Sequence, residues 1–338
     1  MHISYPPFVP TQRDKLRAEI GKFIRPEQPY ALLDFPNYGN IGDSLIWLGA
    51  LTQLRYLSGR HPSYTATIWE YEPAQLEQAC PDGPIFLQGG GNWGDLYPGF
   101  QAFRERLLAD LPHRQVIQLP QSIHFEDPVN LRRAAKVVQA HPNFTMLVRD
   151  AKAQTIANDD LGIAATLAPD CAFGLGKMER YEPIRGVLYF VREDKERVTS
   201  DGLTNGAPST DWPEETDAQK ARIMGEARTA SLARLEFSRF KRRFRYYEAL
   251  AKWRLERGRK TLSQGEVVVC DRLHAHILCT LLGIRHVALD NSTGKVGDYF
   301  RAWTHESDVA HYAADELSAA KELAIITSRP KLRSLSIA

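Results

Sequence analysis

Ile85-Phe-Leu-Gln88, running directly into Gly89-Gly90-Gly91-Asn92-Trp93-Gly94-Asp95, is the stretch that decides the fold. A short, wholly apolar run that ends in glycines reads as a strand covered on both faces, the kind found in parallel sheets. The same pattern recurs on either side of it. Tyr30-Ala-Leu-Leu-Asp34 ends in a Gly/Asn-rich loop, and residues 45–57 behind it read as a helix. Val116-Ile117-Gln118-Leu119 is stopped by Pro120, and Thr145-Met-Leu-Val148 ends at Arg149-Asp150. Strands of this length, spaced by helix-length segments, predict right-handed crossovers and an α/β fold with a parallel sheet. Ligands of such sheets sit beyond the carboxyl ends of the strands, where these four runs place Gly, Asn, Asp, Gln or Arg.

A second α/β unit begins near Gly186-Val-Leu-Tyr-Phe-Val191. It resumes at Val267-Val-Val-Cys270 with a helix over 273–282 and a strand at His286-Val-Ala-Leu289. The expected division is residues 1–178 and 179–338, the second domain carrying a basic helical insert at 218–260. Residues 200–212 read as a loop. Residues 218–260 hold no proline and read as one long helix, and 234–260 carry eleven Lys/Arg against three Glu. Phe237, Phe240, Phe244, Tyr246, Tyr247 and Trp253 are interleaved there.

The chain has 338 residues, enough for two cores. Lys+Arg 43 against Asp+Glu 41 argues against a nucleic-acid binder over the whole chain. No apolar run approaches a membrane span, and residues 1–14 hold three prolines and no apolar centre, unlike a secretory signal. Cys80, Cys171, Cys270 and Cys279 form no CxxC pair, which predicts buried thiols, no zinc site and a cytoplasmic location.

Five segments could carry chemistry. Asn37-Tyr38-Gly39-Asn40-Ile41-Gly42-Asp43-Ser44 lies at a strand-to-helix turn, with Asp43 or Ser44 as the expected cap and an N-terminus open to an anion. The four glycines at 89–94 predict a ligand-facing loop; Asp95 offers an acid or base, and Trp93 suits either a sugar platform or a core anchor. Arg149 presents a planar fork for phosphate or carboxylate, or pairs with Asp150 at the surface. In Asp271-Arg272-Leu273-His274-Ala275-His276, cations sit at the positive end of a helix, which favours a bound anion. His274 and His276 point to different sides of the helix, so a shared metal is not expected, and His276 reads as a packed core residue. Lys295 ends a polar loop, 290–295, after another strand. Together the loops supply Arg149, Arg272, His274 and Lys295, a set suited to a small polyanion.

The ordered set Asn40-Ile-Gly-Asp43, Gly89–Gly91, Arg149-Asp150, Pro169-Asp170-Cys-Ala-Phe173, Asp271-Arg-Leu-His274 and Lys295 resembles the polysaccharide pyruvyl transferase family over roughly residues 30–300. The Asn-Trp-Gly-Asp after the glycine triplet and the length of the basic insert depart from the family pattern. The resemblance implies a GT-B-like fold, with two Rossmann-type domains facing across a cleft. It implies transfer of pyruvate from phosphoenolpyruvate to a sugar as a ketal, in exopolysaccharide biosynthesis, without a cofactor or metal. Donor-binding residues carried over are Arg149, Arg272, Leu273, His274 and Lys295. Tyr38, Asn40, Asn92 and Trp93 fall on the acceptor side. His274 is the expected proton-transfer group, with Asp43 and Asp95 as bases for the acceptor hydroxyls.

A nucleotide-sugar-dependent GT-B glycosyltransferase is the competing expectation, and a non-catalytic carbohydrate- or phosphate-binding module is a third. The expected partner is a saccharide acceptor, free or lipid-linked. The 234–260 helix has two readings: a solvated helix whose aromatics pack on the second domain, or an anchor at the inner face of an anionic membrane with aromatics at headgroup level.

Overall fold

The computed structural model describes residues 7–192, 204, 206–234, 238–291 and 294–328. Phe237, Ser292, Thr293 and, in the 200–212 loop, residues 200–203 and 205 lie outside them. The chain forms two compact units, residues 1–177 with 212–258, and residues 178–211 with 259–338.

The first unit contains β1 (Ala31–Leu33), β2 (Tyr64–Ala66), β3 (Ile85–Leu87), β4 (Gly90–Gly94), β5 (Val116–His124), β6 (Phe144–Val148) and β7 (Ala165–Leu167). They pair in parallel in the order β2-β1-β3-β5-β6-β7, with β4 beside β5. Alternate residues face opposite ways. Ala31, Leu33, Ile85, Leu87, Met146 and Val148 enter one core. Leu32, Phe86, Ile117 and Leu147 enter the other. Both faces are thus buried, as the continuous apolar runs require.

Two expectations are corrected here. The 89–94 glycines form strand β4 and not an open loop: Gly90 pairs with Gln121, and Gly94 with His124. At Gly94 (φ +118) a Cβ would stand 1.7 Å from the His124 carbonyl oxygen, so close strand packing demands glycine. Nor does Pro120 end its strand. β5 runs on to His124, and its register on β6 shifts between Gln118 and Gln121, which accommodates a residue without an N–H.

The stretch expected to be one helix over 218–260 contains two, Asp217–Ala233 and Arg239–Leu262. Thr216 and Gln219 form a reciprocal capping box at the first. In the second, Phe244, Tyr247, Leu250 and Ala251 recur at helical spacing and enter the first unit's core beside Phe35 and Trp47. Phe244 and Tyr247 therefore pack in the core of the first unit, and not on the second domain as expected, with Tyr246 and Trp253 partly buried against the same core. Phe35 and Tyr247 stack with centroids 4.0 Å apart.

The second unit contains β8 (Arg185–Phe190), β9 (Ser209–Thr210), β10 (Gly265–Cys270), β11 (Arg285–Leu289) and β12 (Ala310–Ala313), parallel in the order β12-β11-β10-β8-β9. All four cysteines are buried free thiols. Among the described residues, no helix is long and apolar enough to cross a membrane.

Candidate active site

In each sheet the chain reverses its direction of strand addition once, between β1 and β3 in the first and between β8 and β10 in the second. A crevice opens at such a reversal, beyond the carboxyl ends of the strands. Residues 34–44 follow β1 at the first of these places, and Arg272 and His274 follow β10 at the second; the other candidates follow neighbouring strands, and each is described within its own unit.

In the first unit β1 ends at Asp34, a non-glycine residue at φ +66. Asp34 is 2% exposed and accepts a hydrogen bond from Arg104 Nη2 at 3.1 Å. Arg104 is fully buried. Its Nε donates to Gln118 Oε1 at 3.1 Å, and Nη2 also donates to Asn92 Oδ1 at 2.7 Å. Burial pushes the Asp34 carboxyl up to about 7; the Arg104 charge opposes the rise and the Asp43 charge adds to it. Sequence reasoning reached Asp34 only as a strand end and missed Arg104, whose helix (Pro98–Asp110) carries no motif.

The 35–40 loop follows. Asn40, not Asp43 or Ser44, caps the Ile41–Ser58 helix, its Oδ1 accepting from Gly42 N at 3.0 Å. That Asn40 can do this with an extended backbone explains the shift from the expected cap. Asp43, one turn on, keeps its carboxylate for the Tyr38 hydroxyl. Burial, and after it the Asp43 and Asp34 charges and the hydrogen bond to Asp43, hold the Tyr38 phenol well above its usual range. The Asp43 carboxylate also lies over β4, since a Cβ at Gly90 would stand 3.6 Å from its Oδ1 and 3.6 Å from Gln121 Oε1. Gln121 donates to Asn92 Oδ1 at 2.8 Å while its own buried Oε1 has no hydrogen-bond partner. Asp43, Gln121 and Asn92 thus gather above Gly90.

The loop is braced from behind. Arg254 is fully buried, with Nη1 on the Pro36 carbonyl at 2.7 Å and Nε on Glu215 Oε2 at 2.8 Å. A Cβ at Gly39 would meet Glu215 Cγ at 3.4 Å. Burial favours the neutral form of Glu215, but the Arg254 hydrogen bond and charge, with Lys220, bring its carboxyl below the usual range. Neither residue carried a sequence signal; both come from the returning 212–258 segment.

Trp93 is a core anchor and not a sugar platform: it is 2% exposed and stacks on Phe144 at 5.9 Å. Asp95 accepts from the Glu126 and Asp127 backbone N–H groups at 2.9 and 2.8 Å. What little burial it has works upward, yet these bonds and that of Asn130 hold its carboxyl below the ordinary range, which weakens it as a base. Its visible role is to tie β4 to the 126–130 turn.

Arg149 follows β6 and is 2% exposed, so the surface pair with Asp150 is not formed. Its Nη1 donates to Asp170 Oδ2 at 2.6 Å and its Nε to Ser122 Oγ at 2.8 Å. Ser122 in turn donates to Asp150 Oδ2 at 2.6 Å. Asp150 and Asp170 also cap the helical turns behind them, accepting from Ala153 N and Ala172 N. The Arg149 fork passes beside β4, where a Cβ at Gly91 would stand 2.9 Å from Nη2.

In the second unit Asp271 and Arg272 follow β10. Asp271 Oδ1 accepts from Arg192 N, beyond β8, at 2.9 Å, which bridges the reversal point. Burial raises the Asp271 carboxyl to about 6 against the Arg192 hydrogen bond and the Arg192 and Arg272 charges. Arg272 is the N-cap residue of the Leu273–Leu282 helix and makes a two-pronged pair through Nε and Nη2 with both oxygens of Asp211. His274 is half-buried in the first turn, and Leu273 is buried. Lys295 opens the Lys295–Tyr299 helix beyond the adjacent strand β11. Arg272, His274 and Lys295 therefore share one edge of one sheet.

His276 is a core histidine, as expected. Its Nδ1 lies 2.7 Å from His286 Nε2, and its Nε2 lies 2.8 Å from Thr304 Oγ1. Burial lowers both imidazoles; the His286 charge adds to it at His276, and at His286, which falls to about 4, the His311 charge adds to it while the bond to the Ile284 carbonyl opposes it. Among the described residues, no group of three or more His, Cys, Asp or Glu is placed to hold a metal ion.

A model of the family described as polysaccharide pyruvyl transferase matches residues 40–293. Pyruvyl transferase 1 of Schizosaccharomyces pombe is 32% identical over 288 residues, covering 81% of this chain and 69% of its own. EpsO of Bacillus subtilis, a protein named for pyruvyl transfer, is 29% identical over 273 residues, covering 80% and 84%. The crystal structure of a functionally uncharacterised Klebsiella pneumoniae protein superposes with a TM-score of 0.58 at 15% identity, covering 90% of this chain and 99% of that one. That likeness concerns the fold alone.

Proposed function

The chain belongs to the polysaccharide pyruvyl transferase family, and from that premise we propose that it moves pyruvate from phosphoenolpyruvate to a sugar of a polysaccharide or of its lipid-linked precursor, closing a cyclic ketal. It is a transferase enzyme. The family membership speaks against the nucleotide-sugar reading.

The observation that carries the donor reading is the grouping of Arg272, His274 and Lys295 at the carboxyl edge of one sheet, beside its reversal point. Phosphoenolpyruvate bears a carboxylate and a phosphate close together. In the proposal the donor displaces Asp211 from the Arg272 fork, which takes one anion at two points, and Lys295 takes the other as a point charge. In the proposal Leu273 packs against the donor.

The chemistry balances with the substrates alone. A proton enters C3, turning the methylene into a methyl and leaving C2 electrophilic. One sugar hydroxyl attacks C2 and the bond from C2 to the phosphate oxygen breaks. The second hydroxyl attacks the same carbon and closes the ring. Two hydroxyl protons are lost, one matching the proton gained at C3 and the other leaving with inorganic phosphate. His274 is the group proposed to deliver the C3 proton. Asp43, set beside Tyr38 and above Gly90, is the base proposed for an acceptor hydroxyl, with Asn40 and Asn92 lining the acceptor side. Electrostatic grip on the departing phosphate lowers the barrier, and fixed positions remove the entropy of encounter.

Contact with an anionic membrane, as part of this proposal, rests on exposed basic side chains of the Arg239–Leu262 helix alone. The test of the function is incubation with phosphoenolpyruvate or a UDP-sugar and a panel of glycosides. Phosphate release with phosphoenolpyruvate only, and a glycan mass gain equal to pyruvic acid less water, is the expected result. Turnover of the UDP-sugar instead would overturn it.

A further inference from the structure

The first unit holds a cavity of about 580 Å³ on the edge of its sheet opposite the candidate site. Its wall is the 59–63 turn that leads into the amino end of β2, with Gln78 and the first turns of the Arg239–Leu262 helix. Arg60, His61, Lys241 and Arg245 line it, together with the rings of Phe240 and Phe244. Among the described residues no Asp or Glu lines it.

The helix that forms this wall begins against its own electrostatics. Arg239, Lys241, Arg242 and Arg243 crowd its first five residues, with no acid in the first turn. A helix start carries the positive end of the dipole, so cations there are unfavourable. Arg239 and Arg243, and Lys241 and Arg245, are also like-charge pairs one turn apart, which repel. Arg243 Nε and Nη2 are buried without a hydrogen-bond partner, with the guanidinium 4.9 Å over the Tyr64 ring at the start of β2. Arg243 stands beside the cavity and not in its lining, while Arg60 and Arg245 reach Glu27 and Glu248 behind the wall at 3.6 and 3.4 Å. An anion bound beside Lys241 offsets the first two costs, the dipole and the like-charge repulsion.

We propose that this cavity is a second ligand site that takes a phosphate ester. Its phosphate is held by Arg60, Lys241 and Arg245, and its organic part lies on Phe240 and Phe244. The site is separate from the carboxyl edge and does not depend on the pyruvyl-transfer reading.

The experiment is amide hydrogen exchange on the full chain, titrated with inorganic pyrophosphate at low salt. The expected result is protection of residues 59–63 and 238–245 that fades with added salt. A variant carrying Arg60→Ala and Lys241→Ala, neither of them in the transfer site, should bind pyrophosphate at least tenfold more weakly with unchanged turnover. The second arm uses vesicles of phosphatidylglycerol and phosphatidylcholine. Vesicle binding that pyrophosphate competes away identifies a lipid headgroup as the source; pyrophosphate binding without vesicle binding identifies a soluble ester. Absence of binding by both probes, or protection only at the carboxyl edges, overturns the site. So does undiminished binding by the double variant, and the wild-type exchange map decides the matter even if that variant does not fold.

Discussion

Arg104 and Asp34 form an ion pair in the interior of the first unit, Nη2 to carboxylate at 3.1 Å, with side chains 0% and 2% exposed. Arg104→Met strands Asp34 and removes the donors to Asn92 and Gln118. The expected loss in denaturant-melting stability is about 3–5 kcal/mol. Because Asp34 can escape by taking up a proton, the loss should be smaller at about pH 5 than at about pH 8. An equal loss at both would show that Asp34 stays neutral throughout.

Asp34 also makes a signed prediction of its own. Its folded pKa, about 7, lies above an unfolded value of about 3.9. Between the two the folded chain holds a proton that the unfolded chain has released, so this contribution is full below the lower value and is lost as pH rises toward 7. The slope is at most on the order of 1.4 kcal/mol per pH unit. Asp34→Asn, which mimics the protonated acid, should flatten the stability curve in that window; an unchanged slope would refute the assignment.

Gly49 sits mid-helix where a Cβ would stand 1.8 Å from the Cys171 carbonyl oxygen. Backbone cannot yield as a side-chain tip can, so Gly49→Ala should force the Ile41–Ser58 helix off the Cys171–Leu175 turn. A loss of roughly 3 kcal/mol, at the upper end for overpacking, is expected by thermal melting. Stability equal to wild type would mean that the two elements separate at little cost.

The cations proposed to hold the donor should divide by kinetic signature. Arg272→Lys keeps charge and loses the fork, so the donor KM should rise about tenfold, the equivalent of 1.4 kcal/mol, with kcat less affected. His274→Gln should lower kcat about a hundredfold or more with KM nearly constant. A His274 variant that changed only KM would reduce this residue to a binder.

Glu215 and Arg254 brace the 35–40 loop from outside the substrate's reach. Arg254→Lys gives up one of its two attachments, to Pro36 or to Glu215. Acceptor KM should rise several-fold while the donor KM stays fixed, because the loop carries Tyr38 and Asn40, which the proposed function puts on the acceptor side. Equal movement of both constants would point to a general loss of fold.

The strands were legible where apolar runs were continuous. The run at 85–88 and the helix at 273–282 appear where expected, because burial on both faces and the left-handed Gly283 stop leave few alternatives. The three-residue strands β2 and β7 carried too little pattern to find. The glycines at 89–94 misled: their number signalled close approach, but the approaching group is the β5 backbone at Gly94 and Gly89 and the Arg149 fork at Gly91. The cationic residues were legible because Arg149, Arg272 and Lys295 each follow a strand. Arg104, Arg254 and Glu215 were not, since a charge inside a helical stretch looks solvated until its fold partner, sixty or more residues away for Arg104 and Asp34, is known.

The stacking of Phe35 on Tyr247 has a consequence for biosynthesis. A nascent chain that has reached residue 177 has made every strand of its first sheet, yet the rings and aliphatics that close one face of it, at 244–251, are still uncoded on the ribosome. Strands β8 and β9 of the other unit emerge in the interval. Maturation of the two halves is therefore interleaved in time, and the early half must wait, with Phe35 and Trp47 uncovered, for a segment translated some seventy codons later.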